Sequence, residues 1–257
     1  VGKHHGAAGA FSIRHVSVTG GTVVFSNLRD RVENRIETIN ADVTVDADRK
    51  IRMSGNARSG DTPLKFEIKA AAPAPPLERQ NIPTEIKLEA PGLLHAPLSA
   101  KAEVRINGTV VMINGLTGAF GDGAFNGWAS VDLASKPLVK LDLDFQRLAL
   151  AKSPDTGSSA QPWSNATIDL NGLNYFDAQA RISAAELTLG DGRFAPAAFE
   201  ATLASGVLKA QVSNLGAYGG TANGDVTIDA SAANPAFAVR VDLTGVRAPP
   251  LLTSLAD

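Results

Sequence analysis

Four histidines, 26 carboxylates and no cysteine make up the chain's stock of side chains for acid–base work, metal binding and nucleophilic attack. The absence of cysteine excludes disulfides, cysteine–zinc sites and thiol chemistry. His15 follows Arg14 in an alternating segment, and His95 sits between Pro91 and Pro97. Neither has a second histidine at ligand spacing, so both read as solvated. His4 and His5 beside Lys3 read as a loose terminus or a tag remnant. Asp42, Asp46 and Asp48 are spaced like calcium ligands, but the glycine and closing glutamate of an EF-hand loop are not in place. Alternating carboxylates on the wet face of a strand explain them better. Residues 118–127, GAFGDGAFNG, have the glycine content of a phosphate-cradling loop. Such a loop leads a strand into a helix, whereas this one leads into another strand pattern from Trp128 and is a hairpin. No serine stands in a nucleophile elbow, and no carboxylate pair stands out as an acid–base couple. The expectation is a non-enzyme with no catalytic, cofactor or metal residues.

The elements that surround these residues are strands. Leu138, Val139, Leu141, Leu143 and Phe145 interleave with Lys140, Asp142, Asp144 and Gln146. About a hundred residues on, Phe237, Val239, Val241 and Leu243 interleave with Ala238, Arg240, Asp242 and Thr244. Period two makes one face of a strand oily and the other wet. Leu141, Leu143, Phe145, Val239, Val241 and Leu243 are therefore the expected apolar floor of a sheet. Similar alternation marks residues 36–47, 51–57, 64–70, 98–106, 177–184, 186–189 and 207–212. Gly20-Gly21 reads as a turn between strands at 11–18 and 22–25, and residues 27–35 read as a charged loop. Asn-Gly, the strongest short hairpin signal, occurs at 107, 114, 126, 171 and 223.

Residues 1–10 read as a disordered terminus and 73–83 as an extended proline-rich excursion. The serine-, proline- and glycine-rich segment 151–161 reads as a linker between an N-terminal β region, 11–150, and a C-terminal one, 162–257. Residues 249–255 could form a short helical turn, with proline early. The two regions share a pattern. Gly118-Ala119-Phe120-Gly121 answers Gly216-Ala217-Tyr218-Gly219, Asn126-Gly127 answers Asn223-Gly224, and Val131-Asp132 answers Ile228-Asp229, with a one-residue slip at the glycine turn. Internal repeats mark arrays whose units cannot bury their oily face alone.

The charge balance of 24 basic against 26 acidic residues is near neutral and interleaved, without the basic stripe of a nucleic-acid binder. No run is long enough to span a bilayer as a helix. A chain of 257 residues that starts with Val reads as a piece of a longer protein. A sheet with one oily face needs a cover, and burying each Val, Leu or Phe stabilises by roughly 1.5–3 kcal/mol. With helices nearly absent, the cover is a second sheet, the same sheet curled round, or a ligand. Small alternating residues such as Ala100, Ala102, Ala180 and Ala184 lean towards a groove, although they also allow close sheet packing. A membrane barrel would want aromatic girdles, and the chain has two Trp and two Tyr.

The C-terminal part resembles the corresponding region of the AsmA family. The resemblance is carried by Pro162-Trp163-Ser164, Ile168-Asp169-Leu170 with Leu173, Gly206 to Leu208, Tyr218-Gly219-Gly220-Thr221, and Gly245-Val246 before Leu251-Leu252. Ile13 to Val18, Gly21 to Phe25 and Ile39-Asn40-Ala41 resemble the N-terminal part of that family. Ser26-Asn27 departs from it, since an acidic residue often follows that strand. The resemblance implies a periplasmic segment of a Gram-negative envelope protein, anchored to the inner membrane by an N-terminal helix missing here. AsmA-like proteins are similar to bridge-like lipid-transfer proteins, so it also implies phospholipid or a related lipid as partner, and movement of lipid towards the outer membrane. Envelope proteins are possible further partners. The alternative is a periplasmic scaffold or assembly factor for outer-membrane proteins, with a closed β core. The expected fold is all-β and antiparallel: a repeat-like curled sheet forming an apolar trough, or two packed curled sheets, with one short C-terminal helical turn.

Overall fold

A computed structural model describes residues 15–27, 32–59, 62–74, 76, 79–91, 94–150, 171–174, 176–217, 219–231 and 236–245. They form one all-β sheet of 15 strands. In chain order these are β1 His15–Asn27, β2 Val32–Val45, β3 Lys50–Ser59, β4 Thr62–Ala71, β5 Ile82–Glu89, β6 Leu98–Asn107, β7 Val110–Phe120, β8 Gly123–Asp132 and β9 Leu138–Leu150. After a single 3₁₀ turn, Asn171–Asn174, follow β10 Asp177–Leu189, β11 Gly192–Phe194, β12 Ala197–Ala204, β13 Val207–Ala217, β14 Gly220–Asp229 and β15 Ala236–Thr244. Each strand pairs with the next along the chain, except that β12 takes the place beside β10 and short β11 pairs only with β10. The sheet is curled and does not close. Its curl brings β2 into contact with the Asn171–Asn174 turn, although eight strand positions separate β2 from β10. The described residues therefore form one sheet, and not two packed sheets.

Among the described residues, all pairings are antiparallel except one. β10 runs parallel to β9, from Asp177 opposite Leu138 to Leu189 opposite Leu150. Parallel neighbours need a connection that returns to the starting end, and that connection falls between Leu150 and Asp177. The expected linker, 151–161, lies outside the described residues. So do the expected disordered terminus, 1–10, and the expected helical turn, 249–255.

The turn signals need correction. Gly20-Gly21 does not close a hairpin: β1 runs through it as one strand. Gly20 takes a left-handed φ of 65° at a register shift against β2, and its N–H donates to the Asn40 side-chain oxygen at 3.0 Å. The pair is a bulge, in which glycine supplies the backbone that a bulge requires. The expected loop at 27–35 is shorter, because β2 begins at Val32. Of the five Asn-Gly pairs, Asn107-Gly108 makes a hairpin, between β6 and β7. Asn114-Gly115, Asn126-Gly127 and Asn223-Gly224 lie inside β7, β8 and β14, and Asn171-Gly172 lies in the 3₁₀ turn. Gly115 sits where β7 shifts register against both neighbours. A Cβ at Gly127 would stand 1.8 Å from the Asp142 carbonyl oxygen, so this glycine allows close strand approach. Bulges increase local twist, which serves a sheet that must curl.

The repeat is real as a hairpin pair. Val110 faces Asp132 and Phe120 faces Gly123 in β7–β8; Val207 faces Asp229 and Ala217 faces Gly220 in β13–β14. The end pairings of the two hairpins correspond at one constant sequence offset, so the one-residue slip expected at the glycine turn is absent. Phe120 corresponds to Ala217, and Tyr218 lies outside the described residues. The bulges differ instead, falling between Ile113 and Leu116 in one hairpin and between Val212 and Leu215 in the other. At the second, the Asn214 N–H donates to the Asn223 side-chain oxygen at 2.9 Å.

Candidate functional site: an apolar sheet face

Residues paired across neighbouring strands point to the same face, so the registers sort the side chains. One row begins at Val16 and passes through Val43, Met53, Ile68, Ile86, Ala100, Gly118, Phe125, Phe145 and Ala184 to Ala197. Every member is apolar. A second row begins at Ile82 and passes through Val104, Ile113, Ala129, Leu141, Ala180, Ala201, Ala210 and Val226 to Val239. A third joins Gly127, Leu143, Ile182, Phe199, Val212, Gly224 and Val241. Leu141 and Val239 thus share one row, and Leu143 and Val241 share the next. Leu243 completes the set on β15, opposite Ala222. All six residues expected on the floor lie on one apolar face.

This face is not a closed core. The buried hydrophobic residues are mostly alanines, and no large side chain is fully buried among the described residues. Leu141, Leu143 and Phe145 are half-buried, whereas Val239, Val241 and Leu243 are exposed at 65, 59 and 50 %. The densest packing lies midway along the sheet. There Leu148, Ala184, Leu187 and Ala197 form a cluster flanked by Phe120, Phe145, Phe194 and Phe199. Phe145 and Leu148 are three residues apart, as are Ala184 and Leu187, yet all four join this cluster. The apolar phase shifts by one residue on both strands together while their mutual register stays constant. On β10 the separate alternating runs at 177–184 and 186–189 already carry opposite phases, whereas on β9 strict alternation continued past Phe145 assigns Leu148 to the wet face.

Glycine and aromatic residues shape the floor. A Cβ at Gly55 would stand 2.9 Å from the Phe66 ring, and one at Gly118 would stand 2.7 Å from the Phe125 ring. In each case the ring of one strand lies over the glycine of its neighbour. Phe125 and Phe145 then meet with centroids 5.1 Å apart, within the range of favourable aromatic pairs. Rings laid down on glycines keep the floor shallow.

The opposite face is polar. One row carries Trp128, Asp142, Arg181, Glu200, Gln211, Asp225 and Arg240. Another pairs Lys65 with Glu89, Glu67 with Lys87 and Lys69 with Glu85. Lys101 reaches Glu85 at 3.3 Å. Lys69 hydrogen-bonds the Glu67 carboxylate at 3.2 Å and holds its pKa below the usual range. Clefts of about 680 and 580 Å³ on this face are lined largely by such charged and amide side chains. Alternating signs suit a surface turned to water.

The residues weighed for chemistry are dispersed. His15 Nε2 stands 3.6 Å from Asp42, which also accepts from the Ser17 hydroxyl. The His95 ring meets Phe120 edge-on at 4.8 Å. Asp46 pairs with Arg52 at 2.8 Å and Asp48 with Lys50 at 3.3 Å. Residues 118–127 form the β7–β8 hairpin, turning at Gly121-Asp122. No group of three potential metal-ligating side chains occurs among the described residues. Trp163 lies outside them, and Trp128 is 43 % exposed on the polar face. Comparison with known proteins returned no match to any family model, curated protein or solved structure.

Proposed function

We propose that the apolar face shelters lipid acyl chains, and that the chain is a non-enzymatic segment of an envelope protein that moves lipid between membranes. The observation that carries this reading is the unbroken apolar face, over which no helix or second sheet packs among the described residues. Contiguous apolar surface beyond a few hundred Å² marks a binding surface. Covering it returns about 25 cal/mol for each Å² removed from water. At about 4.8 Å per strand the sheet extends roughly 60 Å across its strands. An acyl chain, which fills half of a bilayer's roughly 30 Å hydrocarbon core, would lie across about three strands.

The resemblance to the AsmA family supports a periplasmic setting, an inner-membrane anchor, a phospholipid or related lipid as cargo, and envelope proteins as further partners. The scaffold alternative requires a closed β core, and the half-exposed floor favours the lipid reading over it. The test is mass spectrometry of lipids extracted from the purified chain, beside a Leu141→Lys/Leu143→Lys variant. Stoichiometric lipid on the parent and at least a tenfold loss on the variant are expected, since each lysine sets a charge where an acyl chain would lie. A folded parent that neither retains lipid nor takes it from phospholipid vesicles would overturn the reading.

A further inference from the structure

The two edges of the sheet differ. β1 is broken by the Gly20 bulge. β15 is nine residues long, contains neither glycine nor proline, and pairs with β14 without a register shift. Among the described residues, nothing pairs with its other side. A long, regular, alternating edge is a template for strand addition. Its apolar side chains are also among the most exposed in the molecule.

The occupant is indicated by charge. On the polar side of β15 the charged residues are Arg240 and Asp242, 3.4 Å apart and both exposed. We propose that β15 pairs antiparallel with β15 of a second copy, about a two-fold axis through Val241. In that register Val241 faces Val241, Val239 faces Leu243, and Arg240 faces Asp242 twice. Sliding by two residues one way sets Arg240 against Arg240; sliding the other way sets Asp242 against Asp242. A one-residue slip turns apolar side chains towards the polar face. Among these registers, the one centred on Val241 pairs opposite charges on the polar face and keeps the apolar face continuous, and it is self-complementary, as a two-fold interface requires. It also continues the polar row that reaches Arg240 from Asp142, Arg181, Glu200 and Asp225, and it joins the apolar rows of the two copies. The inference does not rest on the lipid reading.

The chain contains no cysteine, so a single introduced thiol reports one contact. Paired residues on antiparallel strands have Cα atoms about 4.5–5.5 Å apart, within the range that a disulfide bridges. Val241→Cys should give a disulfide-linked dimer under mild oxidation. Ala238→Cys should not, because it faces Thr244 and the two introduced thiols would stand about 20 Å apart along the strands. In sedimentation, the parent should shift with concentration to twice the chain's mass. Arg240→Asp should weaken the dimer about tenfold by setting like charges opposite one another, and Arg240→Asp/Asp242→Arg should restore it. The restoring swap separates lost pairing from lost folding. A parent that is monomeric at every concentration, equal cross-linking at 238 and 241, or a swap that fails to restore would overturn the proposal. A monomer whose β15 is covered only by added lipid would overturn it too, while leaving the lipid reading intact.

Discussion

Arg181 of β10 donates two hydrogen bonds to the Asp142 carboxylate of β9, at 2.6 and 2.9 Å, across the single parallel pairing in the sheet. The same guanidinium reaches Asp144 at 3.3 Å, and Asp144 accepts from the Ser183 hydroxyl. Arg147 approaches Glu186 at 4.0 Å, and Lys136 meets Asp177 at 2.8 Å. Polar ties therefore line the junction where the two halves of the sheet meet. Parallel pairing is slightly less stable per residue than antiparallel pairing, and side-chain ties offset that.

Arg181→Ala should lower stability by about 1 kcal/mol, the upper range for a partly exposed, bidentate pair within a network. The measurement is urea unfolding. A lower midpoint with an unchanged slope is expected. No shift in midpoint would mean that the pairing does not depend on Arg181.

Asp177 should make the junction acid-sensitive. The Lys136 ammonium hydrogen-bonds this carboxylate and holds its pKa below the ordinary value, with a further bond from the Ser205 N–H at 3.1 Å. Folding therefore favours the ionised form. That contribution is fully present above the unfolded pKa of about 3.9 and is lost as pH falls through the lower, folded value. Stability measured downwards from pH 5 should decline less steeply in Asp177→Asn than in the parent. Superimposable pH profiles would refute the assignment.

Gly118 tests the shallow floor. A Cβ there would stand 2.2 Å from the Ser99 carbonyl oxygen and 2.7 Å from the Phe125 ring. Gly118→Ala should cost about 1–3 kcal/mol, as overpacking does. Gly108→Ala occupies a turn where a Cβ meets nothing within 4 Å, although its φ of 57° favours glycine. It should cost less in thermal or urea unfolding. Equal losses would mean that close approach at Gly118 costs no more than a strained turn, and would contradict its role in the shallow floor.

Much of this fold is legible in the sequence because period two survives folding. Strands 4, 6 and 15 begin and end within a few residues of the alternating runs at 64–70, 98–106 and 236–243. All six floor residues share a face for the same reason. What could not be read depends on neighbours distant in sequence. Whether a glycine turns the chain or admits a neighbouring strand is decided by the partner, as Asp142 decides for Gly127. Parallel pairing of β9 with β10 leaves no mark on either strand, since both alternate as antiparallel strands would. Arg181 and Asp142 are 39 positions apart, and only the register joins them.

The claim that the apolar face lies against acyl chains is tested most directly by site-specific photo-crosslinking along β9 and β15. A photoreactive phenylalanine analogue would be placed singly at each position from 140 to 145 and from 239 to 242, and the chain loaded from phospholipid vesicles. Lipid adducts at 141, 143, 145, 239 and 241, with none at 140, 142, 144, 240 and 242, are the expected result. Adducts on both faces alike, or none on the apolar face of a folded protein, would contradict it.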